Sequence, residues 1–253
     1  MSVLDFSPSP AAAPMSRRLL AHGRMEGSLI ARNGEQMTLA LVIPVALLIG
    51  GRVLHGRLGI SEATMAPSVI GLAIWSTTFT SLAIATGFER RYGVLERLSA
   101  TPLGHGGLLA GKAIGITSIS ALQVALLCVV GVALGWRPHP SAEGMLMLLA
   151  IPLAAIAFSA LALCSAGTLR AELTLALANL VYLVGLVGGG IIWPLSSYPA
   201  GTRWIVGALP TAALGESLRA WSAGSQQWWT LPVLAAWAVI LGLVARKVFR
   251  WTS

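Results

Sequence analysis

The sequence predicts an all-α integral membrane protein with six transmembrane helices. Of its 253 residues, 56% are hydrophobic and only 10% are charged, whereas soluble domains carry about 25% charged residues. The mean hydropathy is +0.78. The apolar residues also collect into six separate runs, and a helix needs roughly 20 such residues to cross the hydrocarbon core. Composition and pattern therefore both indicate a polytopic bundle of helices.

The segment ahead of the first apolar run divides into two parts. Residues 1–14 are rich in Ser, Pro and Ala, a composition that predicts a disordered tail. Residues 15–33 instead predict a cytoplasmic interfacial helix, with apolar residues on one side and Arg17, Arg24 and Arg32 on the other. A basic amphipathic stretch before a span is typical of a helix that lies on the anionic cytoplasmic leaflet. A solvated linker is the alternative.

Residues 34–253 are predicted to form a single six-span transmembrane domain. The spans are 37–53, 66–87, 113–136, 145–169, 173–193 and 228–245. Pro44 and Pro152 fall inside spans, where neighbouring helices can satisfy the freed backbone groups. With the N-terminus inside, 12 of the 17 Lys and Arg residues lie on the cytoplasmic side and 5 lie outside. This excess predicts a multi-pass protein of the cytoplasmic (plasma) membrane with both termini cytoplasmic.

The stretch 88–112 is the only sizeable charged interval between two spans. On a helix, Tyr92, Leu95 and Leu98 would share one face, and the charged side chains would point elsewhere. Pro102 ends this helix, because a proline biases the residue before it away from the helical region. The pattern predicts a short cytoplasmic helix between spans 2 and 3, of a kind that a soluble partner can bind.

The stretch 194–227 separates the last two spans. Pro and Gly interrupt it too often for a span, and it is too apolar for a solvated loop. Trp193, Trp204 and Trp221 indicate a position at the membrane surface, where tryptophan is enriched. We expect short re-entrant helices that dip into the outer leaflet between spans 5 and 6.

The sequence offers no catalytic or metal-binding constellation. Residues 106–112 match the phosphate-loop pattern G-x-x-x-x-G-K, but Ala113 follows where that pattern requires Ser or Thr. The four histidines are not spaced as metal ligands, and no serine in a span has a base near it. The spans also lack a charged residue at their centres. This weakens the case for a proton-coupled carrier, while sodium coupling through backbone carbonyls stays open.

Mildly polar side chains do occur inside the spans. They are Thr77, Thr78, Thr80, Gln123, Asn179 and Tyr182. Such residues either line a path for a substrate or hydrogen-bond to neighbouring helices and hold the bundle together. The sequence leaves both roles open.

Two stretches, taken together and in this order, resemble the permease subunit of type-2 ABC exporters. That family includes daunorubicin-type drug efflux permeases and polysaccharide and teichoic-acid exporters. The first stretch carries Glu89, Arg90, Arg91, Gly93, Leu95, Glu96, Arg97, Leu98 and Pro102. The second stretch carries Pro194, Pro210, Glu216 and Arg219. The six spans and the N-terminal helix also fit, so the resemblance covers nearly the whole chain from Met15 onward.

The resemblance implies that residues 88–98 form a coupling helix seated in a groove of a separate ABC ATPase. Two ATPase subunits and two permease subunits, identical or homologous, would make up the transporter. ATP and Mg would be bound by the ATPase, so the permease itself would not be catalytic and would hold no cofactor. ATP-driven closure of the ATPases would pull on the coupling helix and on the helix of residues 15–33.

The implied cargo is a small amphipathic drug or a lipid-like molecule, because the chain has no large domain outside the membrane. The alternatives are an ion-coupled secondary carrier, or export of a polysaccharide or lipid-linked glycan by the same ABC mechanism. The expected partners include the lipid bilayer and exclude nucleic acid, since the basic residues are spread over loops on both sides of the membrane.

Overall fold

The computed structural model describes residues 12–32, 34–53 and 62–250, without the side chains of residues 35–37, 39, 40 and 62. Residues 1–11 of the predicted tail lie outside this part, as do Asn33, residues 54–61 with His55 and Arg57, and residues 251–253. The described residues are helical and contain no strand, which confirms the all-α class.

Eleven α-helices are numbered here along the described residues. They are α1 Met15–Arg32, α2 Gly34–Val53, α3 Glu62–Trp75, α4 Leu82–Arg91, α5 Val94–Ser99, α6 Gly104–Ala133, α7 Ala150–Thr168, α8 Ala171–Gly188, α9 Ala200–Gly207, α10 Pro210–Ser222 and α11 Thr230–Val248. A π-helical turn, Ser76–Ser81, joins α3 to α4. Two 3₁₀ turns, Gly144–Leu149 and Leu195–Ser197, lie ahead of α7 and α9.

Five helical segments among the described residues are long and apolar enough to cross a membrane. They are Ala63–Arg91, Gly104–Ala133, Gly144–Thr168, Ala171–Gly188 and Thr230–Val248. The predicted first span corresponds to α2, of which the apolar part Leu41–Val53 is shorter than a full crossing. The membrane class is confirmed, and five of the six predicted spans have counterparts of sufficient length.

The third predicted span starts nine residues too late. Residues 104–112, which contain the phosphate-loop-like sequence, form the first turns of α6 and not a loop. Gly107 and Gly111 are buried there against α1. These small residues thus allow α1 and α6 to approach each other closely. Hydropathy alone does not predict such a contact.

The second span forms the centre of the bundle. Trp75 stacks on Phe79 with ring centroids 4.4 Å apart and meets the edge of Phe158 at 4.5 Å. All three side chains are almost fully buried. By contrast, α6, α8 and α11 leave broad apolar surfaces exposed, which suits contact with lipid or with another subunit.

The bundle has two chemically different ends. One end, called the basic end below, joins α1, the turn after α4, the α7–α8 turn and the end of α11. Its basic residues are Arg17, Arg18, Arg24, Arg32, Arg90, Arg91, Arg97, Lys112, Arg170, Arg246, Lys247 and Arg250. The opposite end holds α9 and α10 and the described arginines Arg52, Arg137, Arg203 and Arg219.

Candidate functional site

The predicted coupling helix is broken into two pieces. α4 continues the second span to Arg91, the chain turns at Tyr92 and Gly93, and α5 starts at Val94. Gly93 has φ +67°, a left-handed conformation that glycine adopts without steric cost and that cannot continue a right-handed helix. The prediction of one helix over 88–98, with Tyr92 beside Leu95, is therefore wrong. Tyr92 is 64% exposed, whereas Leu95 is buried.

The turn is fixed from both sides. The Arg97 guanidinium donates hydrogen bonds back to the carbonyls of Gly93 (3.2 Å) and Tyr92 (3.0 Å). Leu95 inserts into an apolar cluster with Leu163 and Phe249. This anchoring attaches α5 to the ends of α7 and α11, so that a force on α5 reaches those helices.

Five of the exposed residues between Tyr92 and Pro102 are called the coupling surface. They are Tyr92, Glu96, Arg97, Thr101 and Pro102. Arg18 of α1 donates a hydrogen bond to the carbonyl of Pro102, and Leu98 is half-buried. The coupling surface therefore joins α1 as well as the second and third spans.

Three of the predicted coupling residues engage other parts of this chain. Arg90 is buried and donates a hydrogen bond to the Leu169 carbonyl. Arg91 forms an ion pair with Glu172. The Glu89 side chain turns toward the start of α6. These contacts connect the end of the second span to the α7–α8 turn, and they leave Glu96 as the exposed carboxylate of the coupling surface.

A buried charge cluster lies where α1 meets the second and third spans. Lys112 Nζ lies 2.9 Å from both carboxylate oxygens of Glu26 and 2.5 Å from Glu89 Oε2. The Lys112 side chain is only 1% exposed. His22 Nε2 lies 3.4 Å from Glu26 Oε1, and burial lowers the pKa of His22, so the imidazole is neutral near pH 7. The cluster thus brings two carboxyl groups to one buried lysine.

Glu26 was missed by sequence reasoning, which placed only basic residues of α1 in a functional role. The available signal was Lys112 itself, a cation at the edge of an apolar run that needs an anionic partner once buried. Two glycines permit the contact. A Cβ on Gly111 would lie 2.2 Å from His22 Cδ2, and one on Gly115 would lie 2.7 Å from Glu26 Cβ.

The basic side of α1 faces away from this contact. Arg17, Arg24 and Arg32 are exposed, and His22, Gly23 and Glu26 are buried against α6. The amphipathic pattern thus separates a basic exposed side from a side that packs on the third span. The interfacial position of α1 on a leaflet stays a prediction.

A cavity of about 260 Å³ lies beside the π-helical turn, where α2, the second and third spans and α8 meet, and is called the central cavity. Its lining residues are Ile43, Pro44, Leu47, Leu72, Ser76, Thr80, Gln123, Asn179 and Tyr182. Four of the six polar residues singled out in the spans therefore meet in one place. π-Helical turns occur frequently at functional sites, and this one presents Ser76 and Thr80 to the cavity.

The other two polar residues have structural roles. Thr77 donates a 2.7 Å hydrogen bond to the Gln123 side-chain oxygen. Thr78 donates to the carbonyl of Ile74 in its own helix and is fully buried. The packing role therefore occurs at Thr77 and Thr78, and the role of the cavity-lining residues in a substrate path stays a prediction.

The segment after the fifth span is organised around Arg219. Its guanidinium donates hydrogen bonds to Ser68 Oγ (3.0 Å), to the carbonyls of Ile191 (2.9 Å) and Gly190 (2.8 Å), and to Glu216 Oε1 (3.0 Å). Glu216 Oε1 also accepts the Leu195 amide at 2.7 Å. The predicted residues Glu216 and Arg219 thus form one buried pair that holds the turn after α8.

The two prolines of this segment mark the starts of short helical elements. Pro194 precedes the 3₁₀ turn Leu195–Ser197, and Pro210 is the first residue of α10, where its missing amide hydrogen costs nothing. The short helices predicted for this segment are present, and their depth in a bilayer stays a prediction. Within the described residues, no group of three or more His, Cys, Asp or Glu side chains is arranged to hold a metal ion.

A comparison with protein-family models matches residues 19–222 to the ABC-2 type transporter family. The matched range runs from α1 to the end of α10, so it contains the coupling surface, the charge cluster, the central cavity and the Arg219 network. A comparison with curated proteins gave no match.

Proposed function

The chain belongs to the ABC-2 type transporter family, and from that premise we propose that it is the permease subunit of an exporter driven by a separate ABC ATPase. Membrane domains of this family are components of the transport pathway and not catalytic. The coupling surface is the observation that supports ATPase coupling, because it is an exposed turn anchored to four membrane helices. ATP and Mg belong, in this proposal, to the partner.

The proposed mechanism follows from the anchoring of α5. A displacement of the coupling surface moves Leu95 and with it the ends of α7 and α11. Through Arg18 the same displacement moves α1, which is fixed to the third span by the buried charge cluster. The ATPase therefore pulls on a connected set of helices at the basic end, which we place in the cytoplasm.

The membrane arrangement is proposed on the same grounds. α2 makes the sixth crossing, and both termini lie on the cytoplasmic side of the plasma membrane, because the basic end holds most of the arginines and lysines. α1 lies along the cytoplasmic leaflet with Arg17, Arg24 and Arg32 toward the headgroups. The short helices after α8 lie at the outer surface.

A second permease subunit is supported by the exposed face of α8. Asn179 is exposed there together with Leu183, one turn further along the same face, although an amide facing lipid is costly. We propose that this face and α2 contact a second copy or a homologous chain, and that the central cavity opens toward the interface between the two subunits. A cavity of about 260 Å³ per subunit suits a small amphipathic drug or lipid-like cargo better than a polymer.

The coupling surface is tested by reversing its carboxylate, Glu96→Lys. We expect ATPase affinity to fall by about tenfold or more, because a complementary charge at an interface becomes a repulsive one. The measurement is co-purification with the partner ABC ATPase and stimulation of its ATP hydrolysis. Glu143→Lys is the matched control, since Glu143 is an exposed carboxylate at the opposite end. Equal ATPase binding by both variants would contradict the proposal.

The central cavity is tested by Asn179→Leu. We expect ATP-dependent uptake into inside-out vesicles to fall by about tenfold, because a polar group that contacts cargo contributes roughly 1–2 kcal/mol. A fluorescent phospholipid and a cationic dye serve as cargo probes. Ser118→Ala is the control, because among the described residues the Ser118 hydroxyl donates its hydrogen bond to the Ile114 carbonyl of its own helix and lies outside the cavity lining.

The same vesicles separate ATP-driven transport from the ion-coupled alternative. Uptake that persists without ATP and collapses with an ionophore would identify a secondary carrier. Uptake of the phospholipid but not the dye would restrict the cargo to lipid-like molecules.

A further inference from the structure

The basic end contains a second cavity of about 260 Å³, called the arginine cavity. It is lined by Gly87, Arg90, Arg91, Arg170, Ala171 and Glu172. It lies where the second span ends and the fifth begins, so it is level with the ends of the membrane helices.

The charges around this cavity do not balance. Arg91 is paired with Glu172, the only carboxylate in the lining. Arg90 is 8% exposed and donates to a carbonyl rather than to a carboxylate. Arg250 is close enough for its like charge to act on Arg90, and its amide bonds to the Gly167 carbonyl at 3.0 Å. The lining therefore holds three arginines and one carboxylate, and Arg250, which is not part of the lining, adds positive charge beside it.

Two of these guanidinium groups are available to a ligand. The side chains of Arg170 and Arg250 are exposed and form no hydrogen bond or ion pair with the part of the chain that the structure describes. A buried cation such as Arg90 is costly unless an anion compensates it. The planar guanidinium matches the oxygens of a phosphate group by paired hydrogen bonds.

The surroundings favour a membrane lipid as the source of that phosphate. Leu173 and Leu180 are exposed along α8 just beyond the cavity, on a different side of the helix from Asn179. These leucines offer an apolar surface to the acyl chains of a lipid whose headgroup lies in the arginine cavity. Basic pockets between membrane helices on the cytoplasmic side are typical binding sites for anionic headgroups.

We propose that the arginine cavity binds the phosphate of an anionic phospholipid from the cytoplasmic leaflet. The proposal rests on the membrane orientation given above and on no property of the ATPase. A lipid held there bridges the end of the second span and the α7–α8 turn, the same elements that the contacts of Arg90 and Arg91 join. The bound lipid would thus contact helices that move when the coupling surface is displaced.

The test is native mass spectrometry of the full-length permease in detergent, with phosphatidylglycerol, phosphatidylcholine and glycerol 3-phosphate as probes. We expect the wild type to retain phosphatidylglycerol in preference to phosphatidylcholine. Arg170→Gln/Arg250→Gln should weaken this binding about 30-fold, since each basic residue near an anionic surface contributes roughly fivefold. Arg170→Lys/Arg250→Lys should recover part of it, which separates a lost charge from a damaged fold.

Arg246→Gln/Lys247→Gln is the matched control. Both residues are exposed at the end of α11 and outside the cavity lining, and the change in charge is identical. Equal loss in the control and the cavity variant would overturn the proposal, as would unchanged binding in both. Glycerol 3-phosphate that binds as tightly as the lipid would show a soluble phosphate site and overturn the lipid assignment. If the cavity variant keeps the lipid but loses the ATPase, the site belongs to the partner.

Discussion

Replacing Lys112 with methionine is expected to destabilise the protein by about 3–5 kcal/mol, which is the cost of removing one partner from a buried ion pair. The substitution keeps most of the length of the side chain but leaves Glu26 and Glu89 facing each other without a cation. Those carboxylates hold α1 to the second and third spans through Lys112. The apparent melting temperature in detergent should fall by about 10 °C for a chain of this size.

Two further variants identify the cause of this loss. Lys247→Met removes an exposed lysine from the same end of the bundle and should change the melting temperature by only a degree or two, because exposed charges contribute little. Lys112→Met/Glu26→Gln/Glu89→Gln removes the unbalanced charge and should recover most of the stability. A melting temperature for Lys112→Met that matches Lys247→Met would show that the buried lysine does not compensate the two carboxylates.

Replacing Arg219 with methionine is expected to be similarly severe, again about 3–5 kcal/mol. The guanidinium is the donor for two carbonyls, for Ser68 and for Glu216, and each buried acceptor left without a donor costs about 1–3 kcal/mol. Arg219→Lys should recover little, because a single ammonium group cannot reach the same set of acceptors. Amide hydrogen exchange should increase over residues 189–198.

Arg203→Met provides the comparison within the same segment. Arg203 also donates to two carbonyls, those of Tyr198 and Ser196, but it is exposed. Water can replace its hydrogen bonds, so its loss should cost less than about 1 kcal/mol. If both arginine variants behave alike, burial of the Arg219 network is not what stabilises the turn after α8.

Hydropathy predicted the helical membrane class and the approximate positions of the long spans, because apolar runs depend on local composition. It also singled out Thr80, Gln123, Asn179 and Tyr182, which line one cavity. It could not assign Thr78, since the same hydroxyl can face a cavity or bond to its own helix. Which of the two occurs depends on the local helix geometry, and amino-acid composition does not predict that geometry.

The basic end was predicted least well, because its structure depends on contacts between distant parts of the chain. A glycine inside a helical pattern is tolerated at a cost of about 1 kcal/mol, so Gly93 gave no firm stop signal. The burial of Leu95 against Leu163 and Phe249 favours a break at Gly93 over one continuous helix. Likewise, the pairing of Glu26 with Lys112 joins residues 86 positions apart, beyond the reach of any local pattern.

The π-helical turn Ser76–Ser81 has a consequence for distant side chains. In a regular helix each residue advances the direction of its side chain by about 100°, so the extra residue that a π-helical turn accommodates rotates everything beyond it by roughly that angle. Glu89 lies eight residues past Ser81. Its side chain therefore points toward Lys112 only because of the rotation that the π-helical turn introduces. The direction of the Glu89 side chain is thus set by a turn that starts thirteen residues away, at Ser76, and a return of the turn to regular α-helical geometry would rotate the carboxylate out of alignment with its cation.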